Sequence, residues 1–272
     1  MIKISGHEVK INKFPDGTPR INFHPSFIEK NRSQILFKWF YEDDAELFYL
    51  MSIKRHLEKY FTNVQYYLYM PYIPNARMDR TKHEDEVFTL KYFCEFINSL
   101  NFDTVFVLDA HSDVSTALLN NCACYNPKKY IDEVIAEIEK DDSELVLYFP
   151  DAGASKRYAD MFPKYKYIYG NKVRTWETGE IVGTEIVNPF NVDLTDKKIL
   201  IIDDICSKGT TFVKSAEALQ SYNVGDISLW ITHCEDTIFQ GLIPDSELIK
   251  KVFTTNSIHT GNHSKIKVFK LD

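Results

Sequence analysis

The sequence predicts an α/β protein of two Rossmann-like halves, each built on a mostly parallel sheet. Three observations predict it. Short β-type runs of apolar and aromatic residues alternate with segments of helical period, the pattern of parallel strands with crossover helices on both faces. Several of those runs end in acids, cations or a histidine, and in open α/β sheets ligands sit at the carboxyl ends of strands. The chain has 272 residues, 44% of them hydrophobic, enough for one large or two medium domains with real cores.

The β-type runs are Ile35–Tyr41, Val64–Met70, Thr104–Leu108, Leu145–Phe149, Tyr165–Tyr169, Ile199–Ile202, Ile227–Ile231 and Val252–Thr254. Between them lie helical patterns at Ala45–Tyr60, Val87–Leu100, Tyr130–Lys140, Ser155–Phe162 and Phe212–Tyr222. The acidic stretch Glu137–Glu144 follows a helix and precedes a strand. A division near Asn126-Pro127 gives expected halves at 1–127 and 128–272. No tandem repeat or low-complexity segment is visible.

Composition excludes some classes. A net charge of −7 argues against a nucleic-acid-coating surface, although a few local cations can still hold a nucleotide. No run of 18 apolar residues exists and the first residues lack a signal-peptide core, so no membrane partner and a cytoplasmic protein are expected. Five cysteines without regular spacing suit a reducing compartment. Cys122-x-Cys124 has no second ligand pair and reads as packing rather than zinc. Tyr66 to Tyr69 reads as packing too, and Lys82 to Glu86 as a solvated helix start.

The most specific stretch runs from Ile199 to Thr211. An apolar strand ends in Asp203-Asp204, then a small-residue loop (Ser207-Lys208-Gly209-Thr210-Thr211), then a helix. Two carboxylates can accept from vicinal sugar hydroxyls. Loop amides, the threonines and the helix N-terminus can receive a phosphate. The layout is that of a ribose-phosphate site, against the plainer reading of solvated turn acids. Four further strand ends carry chemistry: Pro71 to Arg80, Asp109-Ala110-His111, Pro150 to Arg157, and Gly170 to Glu180. Five such ends read as one site.

Together these segments resemble the ribose-phosphate diphosphokinases (PRPP synthetases), from Phe14 to about Ile258 and in family order. The Phe-x-Asp-Gly of that family appears as Phe14-Pro15-Asp16-Gly17. Its Pro-Tyr-x-x-Tyr-Ala-Arg-Gln-Asp-Arg segment is matched by Pro71 to Arg80, its Asp-Leu-His by Asp109-Ala110-His111, and its Pro-Asp-Ala-Gly-Gly by Pro150 to Ala154. Its Lys-x-Arg maps onto Lys172 and Arg174, and its Asp-Asp loop onto the stretch from Asp203.

The resemblance implies two phosphoribosyltransferase-like domains and transfer of a diphosphoryl group from ATP to the anomeric hydroxyl of ribose 5-phosphate, with AMP leaving. It implies Lys172 and Arg174 as the catalytic clamp on the phosphates. Arg77, Asp79 and Arg80 would meet ATP, as would Phe14 and Asp16 of a neighbouring subunit, in a homo-oligomer such as a dimer or hexamer. His111 and Asp151 would hold Mg²⁺, with Asp109 behind them. Asp203 and Asp204 would hold the ribose hydroxyls; Ser207, Lys208, Gly209, Thr210 and Thr211 line the phosphate loop.

The sequence also departs from that pattern. Ser207 stands in place of an acid and Lys208 adds a cation, a change of two charge units towards positive. Asn75, Met78 and Thr18 replace Tyr, Gln and Glu, and the chain ends in a β-type run instead of a helix. The loop change makes ADP-ribose a competing acceptor. Rivals to the whole reading are a phosphoribosyltransferase and an inactive regulatory synthetase-like subunit.

Overall fold

A computed structural model of the chain describes residues 1–141, 144–174 and 181–271, and their side chains apart from 141, 172–174 and 181–184. It divides into two compact units, Met1–Asn126 and Pro127–Asp272.

Unit 1 holds β1 (Ile2–Ile4), β2 (His7–Glu8), β3 (Lys10–Lys13), β4 (Pro19–Asn22), β5 (Gln34–Trp39), α1 (Ala45–Leu57), β6 (Gln65–Tyr69), α2 (Thr89–Ser99), β7 (Thr104–Leu108), α3 (Asp113–Leu118) and β8 (Cys122–Tyr125). Its main sheet has the order β2-β1-β5-β6-β7-β8, and β3-β4 form a separate hairpin. From β5 to β8 all pairings are parallel and each strand lies beside its predecessor. Right-handed crossovers in an unreversed order bring every helix to the same face. The burial follows. Ile35, Phe37, Trp39, Leu68, Val105 and Val107 share one core with α1 and α2. The alternate residues Tyr67, Tyr69 and Phe106 are only half-buried. Helices on both faces, the expectation from alternation alone, therefore do not describe this unit.

Unit 2 holds α4 (Lys128–Ile138), β9 (Leu145–Phe149), α5 (Ala152–Tyr158), β10 (Tyr167–Arg174), β11 (Ile181–Val187), β12 (Lys198–Cys206), α6 (Thr210–Gln220), β13 (Ile227–Cys234), β14 (Ile249–Thr255) and β15 (Ile266–Phe269). The sheet order is β11-β10-β9-β12-β13-β14-β15, parallel except for the β10–β11 pair. After β9 the chain goes first to β10 on one side and then to β12 on the other. That reversal sends α5 and α6 to opposite faces. One core lies against α6, with Ile199, Ile201, Leu229 and Ile231; a second lies against α4 and α5, with Leu147, Leu200, Ile202, Trp230 and Phe253. Every residue of β9 and β13 is buried. Each fully buried Ile, Leu or Phe contributes about 1.5–3 kcal/mol. This two-sided core can offset the several kcal/mol that burying an ion costs.

Candidate active site

The crevice where strand order reverses, between β9 and β12, is where an open α/β sheet binds ligands. Two segments meet there. The first is the β9–α5 turn, where the carboxylate of Asp151 caps α5 by accepting from the Ala154 amide at 3.0 Å. The second is the end of β12. Asp203 and Asp204 lie inside this strand rather than after it, because the ladder with β13 runs on through Ile205↔His233 and Cys206↔Cys234. Backbone pairing continues where the apolar pattern stops, which is why the strand outruns Ile202.

The acid pair is engaged. Nη2 of Arg157, on α5, donates to Oδ1 of Asp204 at 2.6 Å and of Asp203 at 3.2 Å. The Asp204 amide donates to Asp203 Oδ1 at 3.0 Å. Asp204 is almost fully buried. Burial, and then the neighbouring Asp204 charge, push the Asp203 carboxyl well above the ordinary carboxylate range, while Arg157 pulls it back. Sequence reasoning did not single out Arg157. It was visible only as the last residue of the chemistry-bearing segment Pro150 to Arg157, with no role of its own.

Beyond Cys206 the chain turns through Ser207 and Lys208 to Gly209, which takes φ = 75° as the N-cap of α6. A Cβ there would stand 2.1 Å from Ile243 Cδ1. The loop is backed by the segment after β13: Glu235 donates its amide to Cys206 O at 2.9 Å. A Cβ on Gly241 would lie 1.9 Å from Lys208 O. Lys208, Thr210 and Thr211 are exposed. Their side chains have no partner among the described residues. The first amides of an eleven-residue helix and two hydroxyls therefore point the same chemistry outward, that of an anion cradle.

In unit 1 the loops after β6 and β7 are neighbours at the carboxyl end of the sheet. Arg80 grips Asp79 with two hydrogen bonds, Nε to Oδ1 at 2.8 Å and Nη2 to Oδ2 at 3.2 Å. Arg80, then Ser112 and the charge of His111, lower the Asp79 carboxyl, against the opposing effect of burial. The structure thus brings Asp79, Arg80 and His111 together. Arg77 is exposed on the same loop. Asp109 is buried, with φ = 48°, and its amide donates to Tyr125 O at 2.8 Å.

Phe14 and Asp16 stand apart from these loops on the β3–β4 hairpin. Phe14 is 48% exposed. Asp16 Oδ1 accepts from the Thr18 amide at 3.0 Å and the Thr18 hydroxyl at 2.7 Å, and the Thr18 bonds lower its carboxyl below the ordinary value. A cleft of about 1220 Å³ beside this hairpin, lined by Phe23, Phe27, His56 and Tyr60 among others, holds none of the expected site residues.

Lys172 and Arg174 lie on β10, opposite Thr184 and Ile181 of β11, with a register shift between Val173 and Arg174. Their side chains, and residues 175–180 after them, lie outside the described residues. Among the described residues no group of three or more His, Cys, Asp or Glu side chains forms a metal cluster. Among them, too, no helix is long and apolar enough to cross a membrane.

These features define a two-unit α/β chain with mostly parallel sheets. A phosphoribosylpyrophosphate synthetase from Mycobacterium smegmatis has the same fold: TM-score 0.75 at 18% identity, covering 97% of this chain and 86% of that one. No family model matches the chain. It is 28% identical over 268 residues to the ribose-phosphate pyrophosphokinase of Pyrococcus abyssi, covering 96% of this chain and 87% of that protein. It is 25% identical over 260 residues to the enzyme of the same name from Sulfurisphaera tokodaii, covering 92% and 84%. Over most of its length the chain is similar to proteins named ribose-phosphate pyrophosphokinase.

Proposed function

We propose that the chain transfers the β,γ-diphosphoryl group of ATP to the 1-hydroxyl of ribose 5-phosphate, giving PRPP and AMP. The C1 oxygen bonds to the β-phosphorus, the bond from that phosphorus to the bridging oxygen breaks, and AMP leaves with that oxygen while the hydroxyl proton is released. One observation carries the reading: an acid pair held by Arg157 stands next to a glycine-capped helix start with unengaged hydroxyls. Carboxylates suit the vicinal diol; amides and hydroxyls suit the phosphate at the other end of the same sugar. The kinship with diphosphotransferases supplies the reaction class.

The remaining roles follow as parts of this proposal. Asp203 and Asp204 hold the sugar hydroxyls, and Ser207, Lys208, Gly209, Thr210 and Thr211 the 5-phosphate. Arg77, Asp79 and Arg80 meet ATP. Phe14 and Asp16 meet the ATP of a second copy in a homo-oligomer. Lys172 and Arg174 stabilise charge on the transferred group, a task of positioning and electrostatics rather than covalent catalysis. Mg²⁺ would supply charge neutralisation of the ATP phosphates. In unit 1, His111 and Asp109 offer donors for it; in unit 2, taken by itself, Asp151 does. A sparse set fits Mg²⁺, which keeps water and borrows phosphate oxygens.

A second reading keeps the chemistry and changes the acceptor. Lys208 is exposed on the loop, which suits a longer 5′ anion such as the diphosphate of ADP-ribose. Incubation with Mg²⁺-ATP and each acceptor, reading AMP release, tests both. Ribose 5-phosphate is expected to give the higher kcat/KM. A strong preference for ADP-ribose would replace the acceptor, and ADP as sole nucleotide product would overturn the mechanism.

A further inference from the structure

Two carboxylates on consecutive residues of a buried strand are an unfavourable arrangement unless something holds them. Strand alternation places Asp203 with Ile199 and Ile201 on the α6 side, and Asp204 with Leu200 and Ile202 on the α5 side. One guanidinium nitrogen spans that divide. Arg157 Nη2 reaches Asp204 Oδ1 at 2.6 Å and Asp203 Oδ1 at 3.2 Å, and the guanidinium carbon lies 5.3 Å from the centre of the Tyr158 ring. Asp203 Oδ1 thus accepts twice, from Arg157 and from the Asp204 amide. The Asp203 carboxyl also meets the Asp204 side chain.

We propose that Arg157 is the positioning residue of the acid pair: it bridges the two carboxylates and fixes Asp203 for the vicinal diol of the acceptor. The sugar-binding half of this statement rests on the function proposed above; the bridge itself does not. Arg157 acts through the aspartates. A neutral side chain at 157 would remove the cation that both acids share, and the first effect would be proton uptake by Asp203. A protonated carboxyl accepts a hydroxyl proton far less well than a carboxylate does. The charges acting on Asp203 are Asp204 and Arg157. On the neighbouring β13, Ile231 faces Asp203 and His233 faces Ile205; His233 Nδ1 is 2.8 Å from Ser257 Oγ. Asp151 sits six residues away, at the other end of α5.

The competing account is a buried ion pair that only supports the fold. The two accounts separate in the full chain carrying Arg157→Gln or Arg157→Lys. Carboxyl ¹³C NMR, with Asp203 assigned through Asp203→Asn, reads the titration directly. Steady-state kinetics reads acceptor and ATP separately. For Arg157→Gln the Asp203 midpoint is expected to move up, and the acid limb of acceptor kcat/KM to move with it. Acceptor KM should rise roughly 10-fold or more, as loss of a charged hydrogen bond allows, with ATP KM within about 2-fold. Arg157→Lys keeps the charge on a single-point donor and is expected to be intermediate in both readouts. An unmoved midpoint in Arg157→Gln, or equal losses for ATP and acceptor, would overturn the proposal. If Arg157→Gln does not fold, wild-type values of both readouts in Arg157→Lys would overturn it. Failure of the wild-type chain to release AMP counts against the proposed function alone, since the NMR titration still decides the bridge.

Discussion

The two units handle charge in opposite ways. In unit 1 the ion pair at the strand ends sits at the rim: Asp79 is 9% exposed, but its partner Arg80 is 72% exposed. In unit 2 the pair is driven inward: Asp204 is 2% exposed and its Arg157 partner 27%. Topology sets the difference. A strand order without reversal covers one face of the unit 1 sheet and leaves its crossovers on that side. A reversed order buries β12 from both sides, so whatever stands at its end is desolvated. Desolvated charge interacts strongly and costs dearly when mispaired; rim charge is adjustable and inexpensive. The same α/β grammar therefore yields a pliable edge in one unit and a rigid, electrostatically stressed one in the other.

That contrast is breakable by experiment. The largest effect should come from Asp204→Asn or Asp203→Asn, each lowering kcat/KM for the acceptor by roughly 10²-fold or more, as loss of a preorganised polar contact does. Asp203→Asn should at the same time raise the thermal midpoint at neutral pH. The folded-state carboxyl is raised above its unfolded value, so its stabilising contribution exists at low pH and is lost as pH rises; the neutral variant escapes that loss. Melting curves across pH check it, and a gain that failed to shrink towards acid would contradict the assignment.

Next in size is the clamp. Lys172→Ala or Arg174→Ala should cut kcat by about 10²-fold with little change in acceptor KM. Turnover surviving both within a factor of a few would reduce the β10 end to an ordinary surface turn.

Gly209→Ala should follow. A side chain at φ = 75° that also meets Ile243 is strained on two counts, worth about 1–3 kcal/mol of stability, and acceptor KM should rise. Denaturant midpoints measure the first and kinetics the second.

Arg80→Ala should change stability little, because its pairing is solvent-screened, while raising ATP KM. A stability loss as large as that of Gly209→Ala would erase the contrast between the units.

The smallest effect concerns acid sensitivity. Burial holds His259 below its ordinary value of 6.5, with the Asp236 carboxylate 2.8 Å away opposing the shift. A depressed folded value means the unfolded chain takes up protons first on acidification. The stability is therefore present above about pH 6.5 and fades below it. His259→Gln should flatten the fall in melting temperature between pH 7 and pH 5; an unchanged slope would exclude this histidine as its source.

How much was legible in the sequence follows from what kind of signal each element carries. Thr104–Leu108 and Leu145–Phe149 were read with their observed bounds, since both are short apolar runs closed by polar residues. The strands of the β3–β4 hairpin, Lys-Ile-Asn-Lys and Pro-Arg-Ile-Asn, were not read as strands, because they are polar and pair only with each other. β2 is two residues long and below any periodicity. Strand alternation could place Asp203 and Asp204, but not the arginine that holds them. Arg157 meets the pair across 46 and 47 positions of sequence, and no local pattern encodes that distance. Thr18 shows the converse: it replaces a family glutamate, yet its hydroxyl and amide hold Asp16.

The contact between Gly241 and Lys208 has a consequence for ligand affinity. With no room for even a methyl group behind the loop, the backbone at 208 is braced before any anion arrives. Ordering a flexible loop on binding would cost about 1–2 kcal/mol for each residue fixed; a braced loop has already met most of that cost during folding. Affinity for a phosphate end then depends less on how many hydrogen bonds it makes than on how little the cradle must still lose in freedom. Loosening position 241's neighbours would weaken binding without removing a single donor.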